Sequence, residues 1–310
     1  MDENSFVKYL KSEFPFTDGT GIGDDTSIIK RENGFQLITM DILIEGVHFN
    51  HSYFTPEEIA ARALAVNLSD IAAMGGEPEY FFLGIGFPEN FKGEKLERFF
   101  KELKNGCKNW NVKLAGGDMS SSPDKLFISI TMVGNSSNPI RRDGAKAGDL
   151  IGISRVTGES SLGMELLKRG INIPYYSGLH KVPDPEIAKG VVFSEFVNSM
   201  IDVSDGLMID LGRIMDSSNK GARIKYEKIP VTDEMKAICD KYELKETELV
   251  LAGGEDFSLL FTISPEKEKK MKKTAVEYHI IGDVIDEEGV IVEYQGKLLE
   301  LRRKGFDHFE

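Results

Sequence analysis

The chain has 310 residues, 41% hydrophobic and 29% charged, which is ordinary globular composition and long enough for about two domains of ~150 residues. Its 38 basic and 51 acidic residues leave a net charge of −13, which argues against a nucleic-acid backbone as main partner and, where acids cluster, for bound cations. No apolar run approaches the ~18 residues of a membrane span, the acidic start Met1-Asp2-Glu3-Asn4 is unlike a signal peptide, and the lone Cys107 and Cys239 exclude a disulfide framework or cysteine zinc site, so a reducing cytoplasm is the expected location.

The first strong strand signal covers 35–49, β-branched and aromatic but interrupted by Asp41. Thr55, Pro56 and Glu58 form a capping-box signature that opens a helix through Met74, stopped by Gly75-Gly76. A second helix is expected over about 93–109, then a short strand 112–115 leading into Gly116-Gly117-Asp118, and a strand over 126–134 buried on both faces or nearly so. The Asn, Ser, Pro and Gly punctuation of 135–148 places a domain boundary there, giving units 1–140 and 141–310. The second unit reads as strands near 150–154, 199–203, 222–228, 257–263, 278–285 and 290–301, with helices near 160–169, 185–197, 206–217, 232–241 and 265–273. Without a strict βαβ rhythm, the expected class is α+β, two mixed α/β domains.

Aspartates recur at strand ends, helix faces and glycine turns: Asp24-Asp25, Asp41, Asp70, Asp118, Asp202, Asp205 and Glu255-Asp256. Taken singly they have bland readings, Asp118 as a turn residue and Asp70 as a solvated helix position. As a group they are harder to dismiss, because buried carboxylates repel one another and need cations to neutralise them. Oxygen donors with few His and no paired Cys point to Mg²⁺ or Ca²⁺ rather than zinc. Gly19, Gly21 and Gly23, with Gly116-Gly117 and Gly253-Gly254, would let backbone N–H groups approach phosphates, or simply make turns. Neither a P-loop nor protein-kinase signatures occur. Arg141-Arg142 is either a solvated pair or a phosphate clamp, and His48 either a structural histidine or a substrate contact.

Seven segments, Gly21-Ile-Gly-Asp-Asp25, Thr39–Phe49, Ala65–Gly75, Gly116-Gly-Asp118, Ile201–Leu207, Gly253-Gly-Glu-Asp256 and Lys304–Phe309, together resemble the thiamine-monophosphate kinase family in order along nearly the whole chain. The resemblance implies two domains of the aminoimidazole-ribonucleotide-synthetase type, dimeric through the N-terminal domains, and ATP-dependent conversion of thiamine monophosphate to thiamine diphosphate. It implies magnesium-site roles for Asp25, Thr39, Met40, Asp41, Asp70, Asp118, Asp202 and Asp205. It implies ATP contacts at Gly117, Asp118, Arg142, Ser204 and Phe100, and thiamine-side contacts at His48, Glu255 and Phe306. Met40 departs from the usual Ser/Thr-Thr-Asp pattern, so a ligand there must be its backbone carbonyl, a thioether being a poor magnesium ligand. The competing readings are another ATP-using enzyme of the same superfamily and a non-catalytic divalent-cation-binding module.

Overall fold

The computed structural model describes residues 3–17, 19–299 and 305. Its first part runs α1 (Glu3–Glu13), β1 (Gly19–Thr20), β2 (Ser27–Arg31), β3 (Gly34–Ile44), α2 (Pro56–Ala73), β4 (Glu77–Phe87), α3 (Glu94–Asn109), β5 (Lys113–Ser121) and β6 (Phe127–Ser136). These strands make one six-stranded sheet in the order β1-β2-β3-β6-β4-β5. The second part runs β7 (Leu150–Ile153), α4 (Glu159–Lys168), α5 (Pro174–Lys181), α6 (Ile187–Phe193), β8 (Ser199–Asp202), α7 (Leu207–Ser218), β9 (Gly221–Lys225), α8 (Asp233–Lys241), α9 (Glu246–Ala252), β10 (Leu259–Ile263), α10 (Pro265–Met271), β11 (His279–Ile285), β12 (Gly289–Tyr294) and β13 (Lys297–Leu298). Here a seven-stranded sheet has the order β13-β12-β9-β11-β7-β10-β8. One pair in each sheet, β4–β5 and β9–β12, is parallel beside antiparallel neighbours, so both sheets are mixed and the fold is α+β.

Helix α2 organises the cleft. Thr55 Oγ1 accepts the Glu58 amide at 3.2 Å while Thr55 N donates to Glu58 Oε2 at 2.8 Å, closing the capping box. Losing such a cap costs about 1 kcal/mol. Gly75, at φ +63°, ends the run in a left-handed turn. The helix is buried nearly all round. Ile59, Leu64, Leu68 and Ile71 pack on Leu37, Leu43, Phe81 and Met132 of the first sheet. Each such side chain contributes roughly 1.5–3 kcal/mol. Its last turn, Ala72-Ala73, joins Phe193, Met200 and Phe261 in a core shared with the second sheet. A further core, around Ile151, Leu162, Leu211 and Leu260, lies within the second part.

Several elements differ from the sequence expectation. The strand expected over 35–49 stops at Ile44, because Gly46 at φ +85° turns the chain and its amide donates to the Phe49 carbonyl at 2.8 Å. β6 is not buried on both faces: Ile128, Ile130 and Met132 are, but Phe127 is exposed and Ser129 and Thr131 half-exposed. The strand expected over 290–301 breaks at Gln295-Gly296, both at positive φ, into the β12–β13 hairpin. α1, β1, β2, β4, α5 and α9 were not foreseen.

Candidate active site

A cleft of about 1560 Å³ is lined by both parts of the chain. From the first come Asp24, Asp25, Thr39, Met40, Asp41, His48, Arg62 and Asp70. From the second come Arg142, His180, Asp202, Ser204, Asp205, Arg213 and Glu255. Strand alternation on β3 turns Thr39 and Asp41 toward α2 and leaves Met40 59% exposed on the opposite face. Thr39 Oγ1 donates to Asp70 Oδ2, and the Asp41 amide reaches Asn67 Oδ1 at 3.3 Å. Ser69 Oγ, on the same helix, donates to Asp202 Oδ2 at 2.6 Å and ties α2 to β8.

The result is a knot of carboxylates. Oxygens of Asp25, Asp70 and Asp202 all lie within 4.8 Å of one another. Arg142 Nη2 sits 2.5 Å from Asp25 Oδ1, yet Asp25 Oδ2 is buried without a hydrogen-bond partner. Burial, then neighbouring carboxylates, pushes Asp70 and Asp202 well above the usual carboxylate range. Burial also raises Asp41 to about 6, and burial with Asp25 beside it raises Asp24 to about 7. A set of buried oxygen donors with too little positive charge of its own fits a hard divalent cation.

Beside this knot Asp210 accepts the Ser204, Asp205 and Gly206 amides, each at 3.1 Å, fixing the loop that opens α7. Arg213 spans Asp205 at 2.6 Å and Asp210 at 2.7 Å. Burial raises Asp210 to about 7 against the pull of Arg213.

The far end of the cleft is built differently. Glu255 sits at φ +67° and Phe257 at +50°, strained for residues with side chains. The loop is held there because the Glu255 amide donates to Ser204 O at 2.7 Å, and Gly254 lies so close that a Cβ would fall 2.4 Å from the same oxygen. The Glu255 carboxylate pairs with Arg62 of α2, and His180 Nδ1 is 3.1 Å away. Burial alone would raise this carboxyl, but Arg62 and then His180 outweigh it and bring it to about 2. His48 accepts the Ile44 amide on Nδ1 at 3.0 Å, so the neutral ring carries its proton on Nε2.

Asp25, Thr39, Met40, Asp41, His48, Asp70, Arg142, Asp202, Ser204, Asp205 and Glu255 thus meet in one cleft. Gly117, Asp118 and Phe100 do not line it. Asp118 is on edge strand β5, in register with Gly84, Ser129 and Ile42, three strands from β3 or about 14 Å. Phe100 packs on Phe99 and borders a separate hollow with Lys101 and Lys104. Phe306 lies outside the described residues. Four cleft residues, Asp24, Arg62, His180 and Arg213, were not assigned from sequence. Arg62 carried a usable signal, a charge on the apolar side of an alanine-rich helix.

Fold and site together define an AIR synthase related protein. The family description "AIR synthase related protein, N-terminal domain" matches residues 23–136, and "AIR synthase related protein, C-terminal domain" matches 185–295. The thiamine-monophosphate kinase of Aquifex aeolicus is 35% identical over 293 residues, covering 93% of this chain and 92% of its own. That of Pyrococcus horikoshii is 33% identical over 312 residues, covering 100% and 97%. The solved structure of AaThiL complexed with AMPPCP and TMP has a TM-score of 0.90 at 32% identity, covering 99% of this chain and 97% of that one. The chain belongs to the thiamine-monophosphate kinase family.

Proposed function

We propose that the cleft transfers the terminal phosphoryl group of ATP directly and in line to the phosphate of thiamine monophosphate, giving thiamine diphosphate and ADP. The relatives' named activity and the complex of AaThiL with AMPPCP and TMP support the substrates. The observation that carries the chemistry is the convergence of Asp25, Asp41, Asp70 and Asp202 from four separate segments with Arg142 as nearby counter-charge. Asp25, Asp70 and Asp202 would hold magnesium, with Thr39, the Met40 carbonyl, Asp41 and Asp205 around them. When bound, magnesium neutralises phosphate oxygens and orients them, the larger part of catalysis in phosphoryl transfer. Arg142 and Ser204 face the same space and bind nucleotide phosphates.

The acceptor needs no protein base. A phosphate monoester has a second pKa of about 6, so its oxygen is already ionised at neutral pH. His48, with Nδ1 engaged by the Ile44 amide, presents a donor that orients the substrate. Glu255 takes the thiamine side, and Phe306 joins it on the strength of the family motif.

We assign the molecule as a cytoplasmic homodimer of two-domain subunits divided near 140/141. Met40, Ile42, Phe82 and Phe127 are exposed on the first sheet's outer face, an apolar surface suited to a second copy. A copy docked there is the route by which Gly117 and Asp118 on the adjoining edge strand, and Phe100, reach a nucleotide. The purified chain given ATP, Mg²⁺ and thiamine monophosphate should form ADP and thiamine diphosphate in equal amounts by chromatography. ADP without thiamine diphosphate would overturn the assignment.

A further inference from the structure

Among the described residues Arg62 is the largest fully buried side chain; its hydrogen bonds go to Glu255 and to the His180 carbonyl, and its charge also acts on Asp41. Arg62 Nη2 pairs with Glu255 Oε1 and Nη1 donates to the His180 carbonyl at 2.5 Å, while Nε is buried without a hydrogen-bond partner. His180 Nδ1 lies 3.1 Å from Glu255 Oε2 on the other side, in ion-pair range but without hydrogen-bond geometry. Phe54 backs the assembly, its ring centroid 5.9 Å from the guanidinium carbon and 5.8 Å from the His180 ring. The accessibilities are unequal: 26% for the Glu255 side chain, 1% for Arg62 and 4% for His180. A ligand in the cleft therefore meets the carboxylate and not the two groups behind it.

This arrangement changes what Glu255 can recognise. A bare carboxylate attracts a cation. With a guanidinium directly behind it, the repulsion felt by a cation in front cancels roughly half of that attraction. The outward lone pairs of the carboxylate are untouched, and they still accept N–H donors. Thiamine offers both kinds of partner, a cationic thiazolium and an uncharged pyrimidine with an exocyclic amine. We propose that Arg62 and His180 are positioning residues that hold Glu255 as a neutralised hydrogen-bond acceptor, so that it reads the aminopyrimidine amine and not the thiazolium charge. This rests on the reading that Glu255 touches the substrate.

The test compares three acceptors: thiamine monophosphate, its 3-deaza analogue with an uncharged ring, and an analogue lacking the pyrimidine amine. For the wild-type enzyme the deaza compound should match thiamine monophosphate in kcat/KM within about threefold. Loss of the amine should cost about a hundredfold or more, since a site built to accept a hydrogen bond rejects a ligand without one. In Arg62→Met the uncovered carboxylate should favour the charged ring over the deaza compound by about tenfold more than wild type, while Arg62→Lys keeps the wild-type ratio. A merely structural arginine would lower all three acceptors together and leave the ratios alone. Strong wild-type rejection of the deaza analogue with tolerance of the missing amine would overturn the proposal, and so would an unchanged ratio in Arg62→Met. Should Arg62→Met fail to fold, the wild-type series and Arg62→Lys still decide. Glu255→Gln with an unchanged KM for thiamine monophosphate would instead remove the underlying contact, and the proposal with it.

Discussion

At one end of the cleft Asp25, Asp70 and Asp202 crowd together with Arg142 as their nearby cation; at the other, Glu255 lies between Arg62 and His180. Both ends bury carboxylates, and desolvation is the largest influence at each. The outcomes are opposite because the folded chain supplies sufficient positive charge at one end and not at the other. The acidic end is a site left to be completed from solution. At the Glu255 end the carboxylate already has its counter-charge in Arg62.

The sharpest way to break this contrast is Asp70→Asn. It should lower kcat by about a hundredfold or more, as loss of transition-state charge stabilisation does, yet raise the metal-free melting temperature, because one member of a repelling group is gone. Loss of activity together with a fall of several degrees would mark Asp70 as a satisfied core residue instead. At the other end Glu255→Ala should destabilise the protein by roughly 3 kcal/mol in urea unfolding, since it strands the buried Arg62 charge. The two substitutions remove the same group and should move stability in opposite directions.

The contrast also has a pH signature. Asp41, Asp24 and Asp210 have folded-state values near 6 to 7, above an ordinary 3.8. The folded state therefore binds the extra protons, and the stability they confer is present at low pH and lost as pH rises through those values. Metal-free protein should melt at a lower temperature at pH 8 than at pH 5, and Mg²⁺ should flatten that slope. Glu255 runs the other way: depressed from 4.5 to about 2, it contributes stability above 4.5 that is lost as pH falls toward 2. A metal-free melting curve that rises from pH 5 to 8 would remove the asymmetry between the two ends. The smallest effect belongs to His48→Asn, which should weaken thiamine monophosphate binding a few-fold while the acidic limb of kcat/KM persists. Loss of that limb, with folding and magnesium affinity intact, would make His48 a base.

The sequence was most legible where a local rule acts alone. The Thr55–Glu58 capping box and the Gly75 stop define α2 almost to the residue. β4 was missed although Phe81, Leu83 and Ile85 alternate inward, because Pro78, Gly84 and Gly86 look like turn residues until β5 and β6 are seen to flank them. The acidic residues of the cleft could be gathered from sequence because aspartate is conspicuous in an apolar strand or helix. What they face could not. The Arg62–Glu255 pair spans 193 positions, and no local pattern links a helix on one sheet to a strained loop on the other. Asp118 illustrates the reverse: its motif stands out, while its distance from β3 follows from a strand order that only the assembled sheet reveals.

One consequence of α2 concerns length. Arg62 and Asp70 are eight positions apart on a single uninterrupted helix, a rise of about 12 Å. That helix has no glycine or proline between them and is clamped on both sides, by the first sheet and by the Phe193–Phe261 layer. It behaves as a fixed caliper, one jaw behind Glu255 and the other inside the carboxylate knot. The jaw spacing is therefore fixed by the helix itself. The acceptor must bring its own reach, so a homologue of thiamine monophosphate with one methylene more or fewer between ring and phosphate would engage either jaw but not both.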